Sequence, residues 1–580
     1  MKKGKQKEPH PLTRILNKRP TIIFLLCLIC VIGLPLRIQN IKLNGYISDD
    51  AWWHYRQIKQ VLDFGHRLNP DIYEFTTLKR PMTYPPLFHY LVPLTYKLFA
   101  RVISLIKFTH YFNVIEGMLY ILLIYALSYV MTEDGLFSLI GALSTAVSYG
   151  VIIRARAGEL MPFVPGDLFA LAGLLLLLIL LKDVFNTKGI PALNNKNIIL
   201  STFAGVLFGL SMLCWSGGVY IYLPLILFVF LALILSRPGL TPLSLKLFFW
   251  CFISLIITCL GWYLPLILKY GLNPHTKEMD WFMKGFTVLH QVKPLNFYIF
   301  TSGIAIFFVP IVFLSALFKR GAVNIFIVLW IILGAIATYS GWRGYVAVVP
   351  ILSAVIISIG ISHIVRFFFR EGSRYIPVIF ILIFLLVGGI GYHISALRLA
   401  PLDPHNVNEV RTNAKSIKML EYLKQNYPNA ITIDLISWVS EDEAVGFLRM
   451  VAGQYLEYLP PGSSEALKDV SRFYLADEEG AYNIGRKYDV DLIIVRQQFL
   501  QLPQLSLLFA PSELRSDDYL KITKEAEGSG EVTINFSPKG TQAILFRMLN
   551  RQKFNRFELV YADEDRAGPL PFVVVYKVNK

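Results

Sequence analysis

Three observations predict a polytopic α-helical membrane protein that ends in a C-terminal α/β domain. Of 580 residues, 54% are hydrophobic, and the mean hydropathy is +0.51. About eleven apolar runs are almost free of charge, and a bilayer core needs roughly 20 apolar residues per helix. Charged residues are sparse through Ala400 and dense afterwards, which divides the chain into a membrane part, 1–394, and a wet tail, 395–580.

The predicted spans are 21–36, 113–131, 135–153, 167–182, 198–214, 216–236, 246–268, 296–318, 323–340, 344–363 and 376–394. The basic stretch before Thr21 resembles the start of a signal peptide. No small-residue cleavage site follows Leu34, so 21–36 is read as a retained first span. Segment 84–105 is apolar too, but it opens with Pro85-Pro86 and carries His89, Lys97 and Arg101.

Loop charges decide whether that segment crosses. Lys2, Lys3, Lys5, Lys7, Arg14, Lys18 and Arg19 assign the N-terminus to the cytoplasm. If 84–105 does not cross, the loops with Lys182/Lys188/Lys196, Arg237/Lys246, Lys319/Arg320 and Arg366/Arg370/Arg374 all fall inside. Segment 84–105 is therefore read as an interfacial or re-entrant part of a long external loop, 37–112. The number of spans is then odd. The turn 154–166, the loop 269–295 and the tail are expected outside, on a multi-pass protein of the cell membrane.

In the tail, 429–437 and 491–495 read as strands and 477–488 as a helix. Stretches 541–549 and 571–578 read as further strands, giving a small sandwich with a largely parallel sheet. The tail holds no cysteine, so it is not a disulfide scaffold; Cys27, Cys30, Cys214, Cys251 and Cys259 all lie in apolar runs. The net charge of +16 is what the positive-inside rule produces, and no nucleic-acid partner is expected. No phosphate-binding glycine motif occurs.

Five polar constellations lie in the predicted external pieces. In SDDAWWHYR, Asp49 and Asp50 follow the first span and precede Trp52, Trp53, His54, Tyr55 and Arg56. Adjacent carboxylates hold a hard divalent cation, which in turn holds a phosphate; the competing reading is an aromatic belt with solvated acids. In RARAGELMPFVPGD, Arg154 and Arg156 run against the positive-inside trend beside Glu159 and Asp167, which suits an anion such as a lipid phosphate. Arg343, between two spans, is a phosphate fork or a snorkelling charge. His290 is a candidate ligand in its loop. Trp438 leads into Glu441, Asp442 and Glu443, an acidic run of the kind found at helix N-termini.

These pieces, in this order, resemble the catalytic subunit of oligosaccharyltransferase, the family that N-glycosylates protein asparagine. DDAWWHYR is similar to its first acidic motif, YPPLFHYL to the end of the same loop, and GWRGYVAVVP to a segment with an arginine seven residues before a proline. SRFYLADEEGAYNIGRKYDVDLIIV is similar to its soluble domain. The resemblance implies a C-type glycosyltransferase fold with an external tail. It implies a metal-dependent enzyme using Mn²⁺ or Mg²⁺, with Asp50 as catalytic and metal-binding aspartate, joined by Asp49, Asp167 and His290 as ligands. Glu159 or Asp167 would be the second catalytic carboxylate. Arg343, with Arg154 and Arg156, would bind the donor phosphate, and Trp52, Trp53, Tyr55, Trp438 and Asp442 would touch sugar or acceptor.

The partners implied are a lipid-linked oligosaccharide and an acceptor polypeptide, handled by a monomeric single-subunit enzyme. Three features depart from the family pattern. The second motif has Glu159 and Asp167 instead of a close acidic pair. His290 stands where the family has glutamate, and Trp438-Val439-Ser440 stands for Trp-Trp-Asp. Two alternatives follow: transfer to a hydroxyl, lipid or glycan acceptor, or non-catalytic transport of lipid-linked glycans.

Overall fold

The computed structural model describes residues 19–186, 193–215, 218–236, 238–270, 309–318, 322–339, 345–369, 375–399, 416–434, 442–452, 461–496, 518–524, 532–563, 571 and 573–580. Contacts group them into two compact units. One holds the described residues within Met1–Asn44, Tyr84–Leu268 and His290–Leu402. The other holds those within Gly45–Thr83, Lys269–Leu289 and Asp403–Lys580.

The helices, in chain order, are α1 (Arg19–Ile38), α2 (Asp49–Phe64), α3 (Leu87–Tyr96), α4 (Leu105–Thr132), α5 (Gly135–Val147), α6 (Tyr149–Ile152), α7 (Phe163–Asn186), α8 (Asn195–Cys214), α9 (Gly218–Ser236), α10 (Thr241–Tyr270), α11 (Val309–Phe318), α12 (Ala322–Tyr339), α13 (Tyr345–Phe368) and α14 (Tyr375–Leu399). Every predicted span falls on one or two of these helices. Residues 296–308 of one span, 216–217 of another and the ends 340 and 344 of two more lie outside the described set. Among the described residues, α1, α4, Phe163–Val184 of α7, α8 and Thr241–Lys269 of α10 are long and apolar enough to cross a membrane. The stretch 84–105 yields only α3, of 10 residues, and then irregular turns. At 1.5 Å per residue such a helix is about 15 Å long, half a bilayer core.

Local chemistry sets the helix ends. Asp134 caps α5 by accepting from the amides of Leu136 and Phe137, and Asn194 caps α8 through the amide of Asn197. Arg366 Nη2 donates to the Thr132 carbonyl at 2.8 Å, satisfying the end of α4. Small residues allow close helix packing: a Cβ on Gly117 of α4 would stand 2.7 Å from the Ala155 carbonyl oxygen and 2.8 Å from Arg37 Nε.

The second unit is built on a five-stranded sheet in the order β2-β1-β3-β7-β6, with β1 (Ile431–Ile433), β2 (Arg449–Met450), β3 (Leu492–Arg496), β6 (Phe557–Ala562) and β7 (Val573–Val578). A separate pair joins β4 (Leu520–Lys524) to β5 (Val532–Phe536). Alternation along the strands feeds two cores. Ile493 and Val495 of β3 and Val574, Tyr576 and Val578 of β7 pack on one face. Leu492 and Ile494, with Val573 and Val575, pack on the other.

Helices α15 (Ser463–Leu475) and α16 (Glu478–Lys487) cover the first of these faces. Tyr474 Oη ties α15 to the sheet by donating to the carbonyls of Ile433 and Ile494 at 3.3 and 2.8 Å. The expected strands at 429–437 and 491–495 and the helix at 477–488 are present within the described residues; 435–437 lie outside them.

Two expectations for the tail are corrected. The sheet is mixed: β1 pairs in parallel with β2 and β3, while β3–β7 and β6–β7 are antiparallel. The segment joining β6 to β7 is too short for the dozen-residue crossover that parallel neighbours need. Stretch 541–549 is helical instead of extended, forming the end of α17 (Pro538–Gln542) and α18 (Ile544–Leu549). Ser537 caps α17 with Pro538 just inside it, and Ile544, Leu545, Met548 and Leu549 are buried at i and i+4 spacing, a helical period.

Gly117→Val should lower stability by about 1–3 kcal/mol through overpacking against the turn at Ala155. A thermal melt in detergent checks this; an unchanged melting temperature refutes the close approach.

Candidate functional site

In the second unit the first acidic motif forms α2. Ser48 caps it through the amide of Ala51 at 3.4 Å, and Gly65, at φ +79, ends it with its amide on the Val61 carbonyl. Asp49 and Asp50 are therefore the first helical residues, and Asp50 is partly exposed. Trp52 and Trp53 are only 2% and 1% exposed. Trp52 packs edge-on against Tyr46 at 5.0 Å, and a Cβ on Gly45 would stand 2.6 Å from its ring. Tyr55 is half-buried beside Tyr46. These tryptophans, expected at sugar or acceptor, are used up in holding α2. Burial, with the charge of Arg67 nearby, pushes His54 down to about 3, so its ring is neutral.

One turn further along α2, Arg56 is 3% exposed and makes two parallel bonds to Asp71, at 2.8 and 2.9 Å. Its Nη2 also lies 3.1 Å from Glu443 Oε2, and Gln57 adds a 3.4 Å bond to Asp71. Glu74 pairs with Arg80 close by. The acidic run expected at a helix N-terminus instead leads into a single π-helical turn, Asp442–Gly446, with both acids fully buried. Asp442, expected at the acceptor, accepts from Arg496 Nη2 at 2.6 Å, while Arg496 Nε reaches Asp434 at 3.0 Å and Nη1 reaches Ser416 at 2.6 Å. Burial raises the Glu443 carboxyl well above its ordinary value against the pull of Arg56, with Glu74 and Asp71 adding to the rise.

In the first unit the turn after α6 carries the arginines. Asn113 Nδ2 of α4 donates to the carbonyls of Arg154 and Arg156 at 3.0 and 2.8 Å, and the Ala157 amide donates to the Arg37 carbonyl at 2.8 Å. Gly158, at φ +88, makes the reversal that a side chain would strain. Arg154 lies over the Phe163 ring at 5.2 Å, and its Nη1 is buried without a hydrogen-bond partner among the described residues. Burial lowers its guanidinium to about 10, offset in part by Asp167, so it stays charged at neutral pH. Arg156 sits 3.6 Å from Glu159. Both oxygens of Asp167 accept tyrosine hydroxyls, Tyr120 at 2.9 Å and Tyr222.

The structure thus gathers Arg154, Arg156, Glu159 and Asp167 around one turn, and it carries Asp49 and Asp50 on an element of the other unit. Arg343, His290 and Trp438 lie outside the described residues. Reading the predicted spans as nearly charge-free overlooked the polar stripe of α4: Thr109, His110, Asn113, Glu116 and Tyr120 are all buried. Their spacing of three to four residues was the available signal. Glu116 Oε2 has no hydrogen-bond partner among the described residues.

Together these features describe a polytopic helical membrane protein with a C-terminal α/β domain. The family described as Oligosaccharyl transferase STT3, N-terminal, matches residues 39–292 of this chain. No curated protein matches it in sequence.

Three solved structures, all of the Archaeoglobus fulgidus oligosaccharyltransferase, share its fold. The archaeal enzyme AglB with an inhibitory peptide and a dolichol-phosphate gives a TM-score of 0.67 at 15% identity, over 94% of this chain and 80% of that one. The form tethered by a disulfide to an acceptor peptide containing the NVT sequon gives 0.69 at 14%, over 97% and 89%. The complex with Zn and sulfate gives 0.65 at 15%, over 96% and 88%.

Arg496→Met should destabilise the second unit by about 3–5 kcal/mol, because it leaves Asp434 and Asp442 buried without their cation; denaturant unfolding measures this. Glu443→Gln should do the reverse. A carboxyl whose folded value is raised favours the fold below its unfolded value, near 4.3, and that advantage is lost as pH rises toward the folded value. The glutamine variant should therefore melt higher than the parent at pH 7–8 and alike near pH 4. A lower melt at pH 7 would show that Glu443 is held as a stabilising anion.

Proposed function

We propose that this chain transfers a glycan from a polyprenyl or dolichyl (di)phosphate carrier to the side-chain amide of a protein asparagine, on the external side of the membrane. The observation that supports it most is the turn 154–159, whose backbone is held by Asn113 and by the Arg37 carbonyl, and where Arg154 carries a buried nitrogen without a hydrogen-bond partner among the described residues. A fixed, desolvated guanidinium is built for an anion such as a phosphate.

In the transfer, the amide nitrogen bonds to the anomeric carbon as the bond from that carbon to the carrier's phosphate oxygen breaks. The phosphate leaves with the electron pair, and the nitrogen gives up a proton. Arg154, with Arg343, binds the phosphate oxygens where charge grows, and Arg156 adds field. Asp50 accepts from the acceptor amide or holds a cation. Of the two expected second carboxylates, Asp167 has both oxygens occupied by tyrosines, which leaves Glu159 for that role.

A divalent cation, Mn²⁺ or Mg²⁺, when bound at Asp49 and Asp50, supplies Lewis-acid stabilisation of the leaving phosphate. The donor set fits: these are hard oxygens. Among the described residues no three His, Cys, Asp or Glu side chains gather into a closed cage, and a magnesium-type ion held by one or two carboxylates keeps its waters and the substrate phosphate. The described structures of the archaeal enzyme, with a dolichol-phosphate, an acceptor peptide and Zn with sulfate, support this substrate and metal class. The chain is taken to act as a single subunit.

Purified protein with a lipid-linked oligosaccharide, Mn²⁺ and a fluorescent Asn-x-Thr peptide should produce a shifted glycopeptide band. Asp50→Ala should cut the rate by more than about 100-fold, the range spanned by single catalytic groups. Arg154→Ala should weaken donor binding by about 10-fold or more, the loss of one charge-assisted contact. Undiminished transfer in Asp50→Ala refutes the site. Donor consumption without a shifted peptide refutes the acceptor.

A further inference from the structure

The second unit contains a chain of buried charges that the proposed chemistry does not use. It runs from α2 through Arg56 to Asp71 and Glu443, and from the neighbouring Asp442 to Arg496, Asp434 and Ser416. Its members come from the first loop and from the tail, segments more than 340 positions apart in sequence. Arg56, Asp71, Glu443, Asp442, Arg496 and Asp434 are all at most 3% exposed. Such pairs are poor sources of net stability, because removing charges from water costs about as much as pairing them returns. What a planar fork gripping two acceptors provides is geometry.

We propose that Arg56 is a positioning residue for the acid-bearing end of α2: by bridging Asp71 and Glu443 it fixes that helix, and so Asp50, to the tail turn that Arg496 anchors. This rests on the reading of Asp50 as the working carboxylate. Two features of the geometry support it. Arg56 stands on α2 itself, six residues after Asp50 and under two helical turns away. Its two partners lie on different segments, and each is tied further: Asp71 to the Tyr73 amide at 3.0 Å, and Glu443 through the adjoining Asp442 to Arg496.

Arg56→Lys is the decisive variant, since it keeps the charge beside Asp71 and loses the fork. Two readouts are taken on the full-length protein. Hydrogen exchange of the α2 amides reports the helix directly, without metal or substrate. The Mn²⁺ concentration giving half-maximal transfer reports Asp50. The variant should melt within a few degrees of the parent and exchange faster by about 10-fold or more over 49–58, with β3 and β7 unchanged. It should also need about 10-fold more Mn²⁺, while donor binding stays within 2-fold.

Parent-like exchange over 49–58 together with a parent-like Mn²⁺ requirement overturns the proposal. Faster exchange spread over the whole second unit, with the Mn²⁺ requirement of the folded fraction unchanged, also overturns it, because Arg56 is then merely structural. If the parent protein itself transfers nothing, the functional reading fails on its own. The exchange pattern then still decides whether Arg56 orients α2.

Discussion

A guanidinium taken out of water must be given oxygens, and each unit of this protein is tied together by that demand. In the membrane unit, Arg37 at the end of α1 is fully buried and donates to the carbonyls of Gly33, Ala146 and Thr145 at 3.0, 2.9 and 3.1 Å. Two of these are carbonyls at the C-terminus of α5, which have no helical partner of their own. The same residue's carbonyl receives the Ala157 amide. One side chain thereby joins α1, the end of α5 and the arginine turn. The polar edge of α4 completes the turn, with Asn113 taking its carbonyls and Gly117 admitting Ala155. Backbone that leaves a helix near the apolar layer persists where protein groups satisfy it, and here Asn113 and Arg37 supply them.

In the second unit the same demand is met by carboxylates. Arg56 and Arg496 each hold two acids, and Arg80 holds Glu74. The immediate surroundings of Arg56 contain three acids, Asp71, Glu74 and Glu443, against two arginines. Burial is what chiefly pushes Glu443 up, and the neighbouring acids Glu74 and Asp71 add to it. A surplus of buried negative charge beside the helix that carries Asp50 is costly in stability, and it persists because the fork geometry is fixed from several sides at once.

Much of the fold was legible because its causes are local. Uncharged runs near twenty residues give the spans, and the Pro-rich, basic stretch 84–105 gives only a short helix. The failures have equally local explanations. Residues 541–549 carry apolar side chains in adjacent pairs, which fit a strand until the four-residue repeat of Ile544 and Met548, and of Leu545 and Leu549, is noticed. Glu116 and Asn113 lay inside a predicted span and were passed over, although their spacing places them on one helix face. The fate of the acids 442 and 443 was beyond local reading. An acidic run looks solvated until its cations are found, and those cations, Arg56 and Arg496, stand hundreds of positions and dozens of positions away.

The tryptophans and acids of the motifs illustrate how a motif divides its labour. In SDDAWWHYR the tryptophans point into the unit's interior, His54 is held neutral by burial, and Arg56 is clamped. In RARAGELMPFVPGD the backbone of the arginines is held by Asn113, Asp167 is occupied by two hydroxyls, and Glu159 is close enough to Arg156 for a loose pairing. Each motif therefore spends most of its polar residues on orientation. The altered spacing of the second motif follows from that division. Asp167 is part of α7 and of its packing against Tyr120 and Tyr222. Glu159, in the turn itself, is buried beside Arg156.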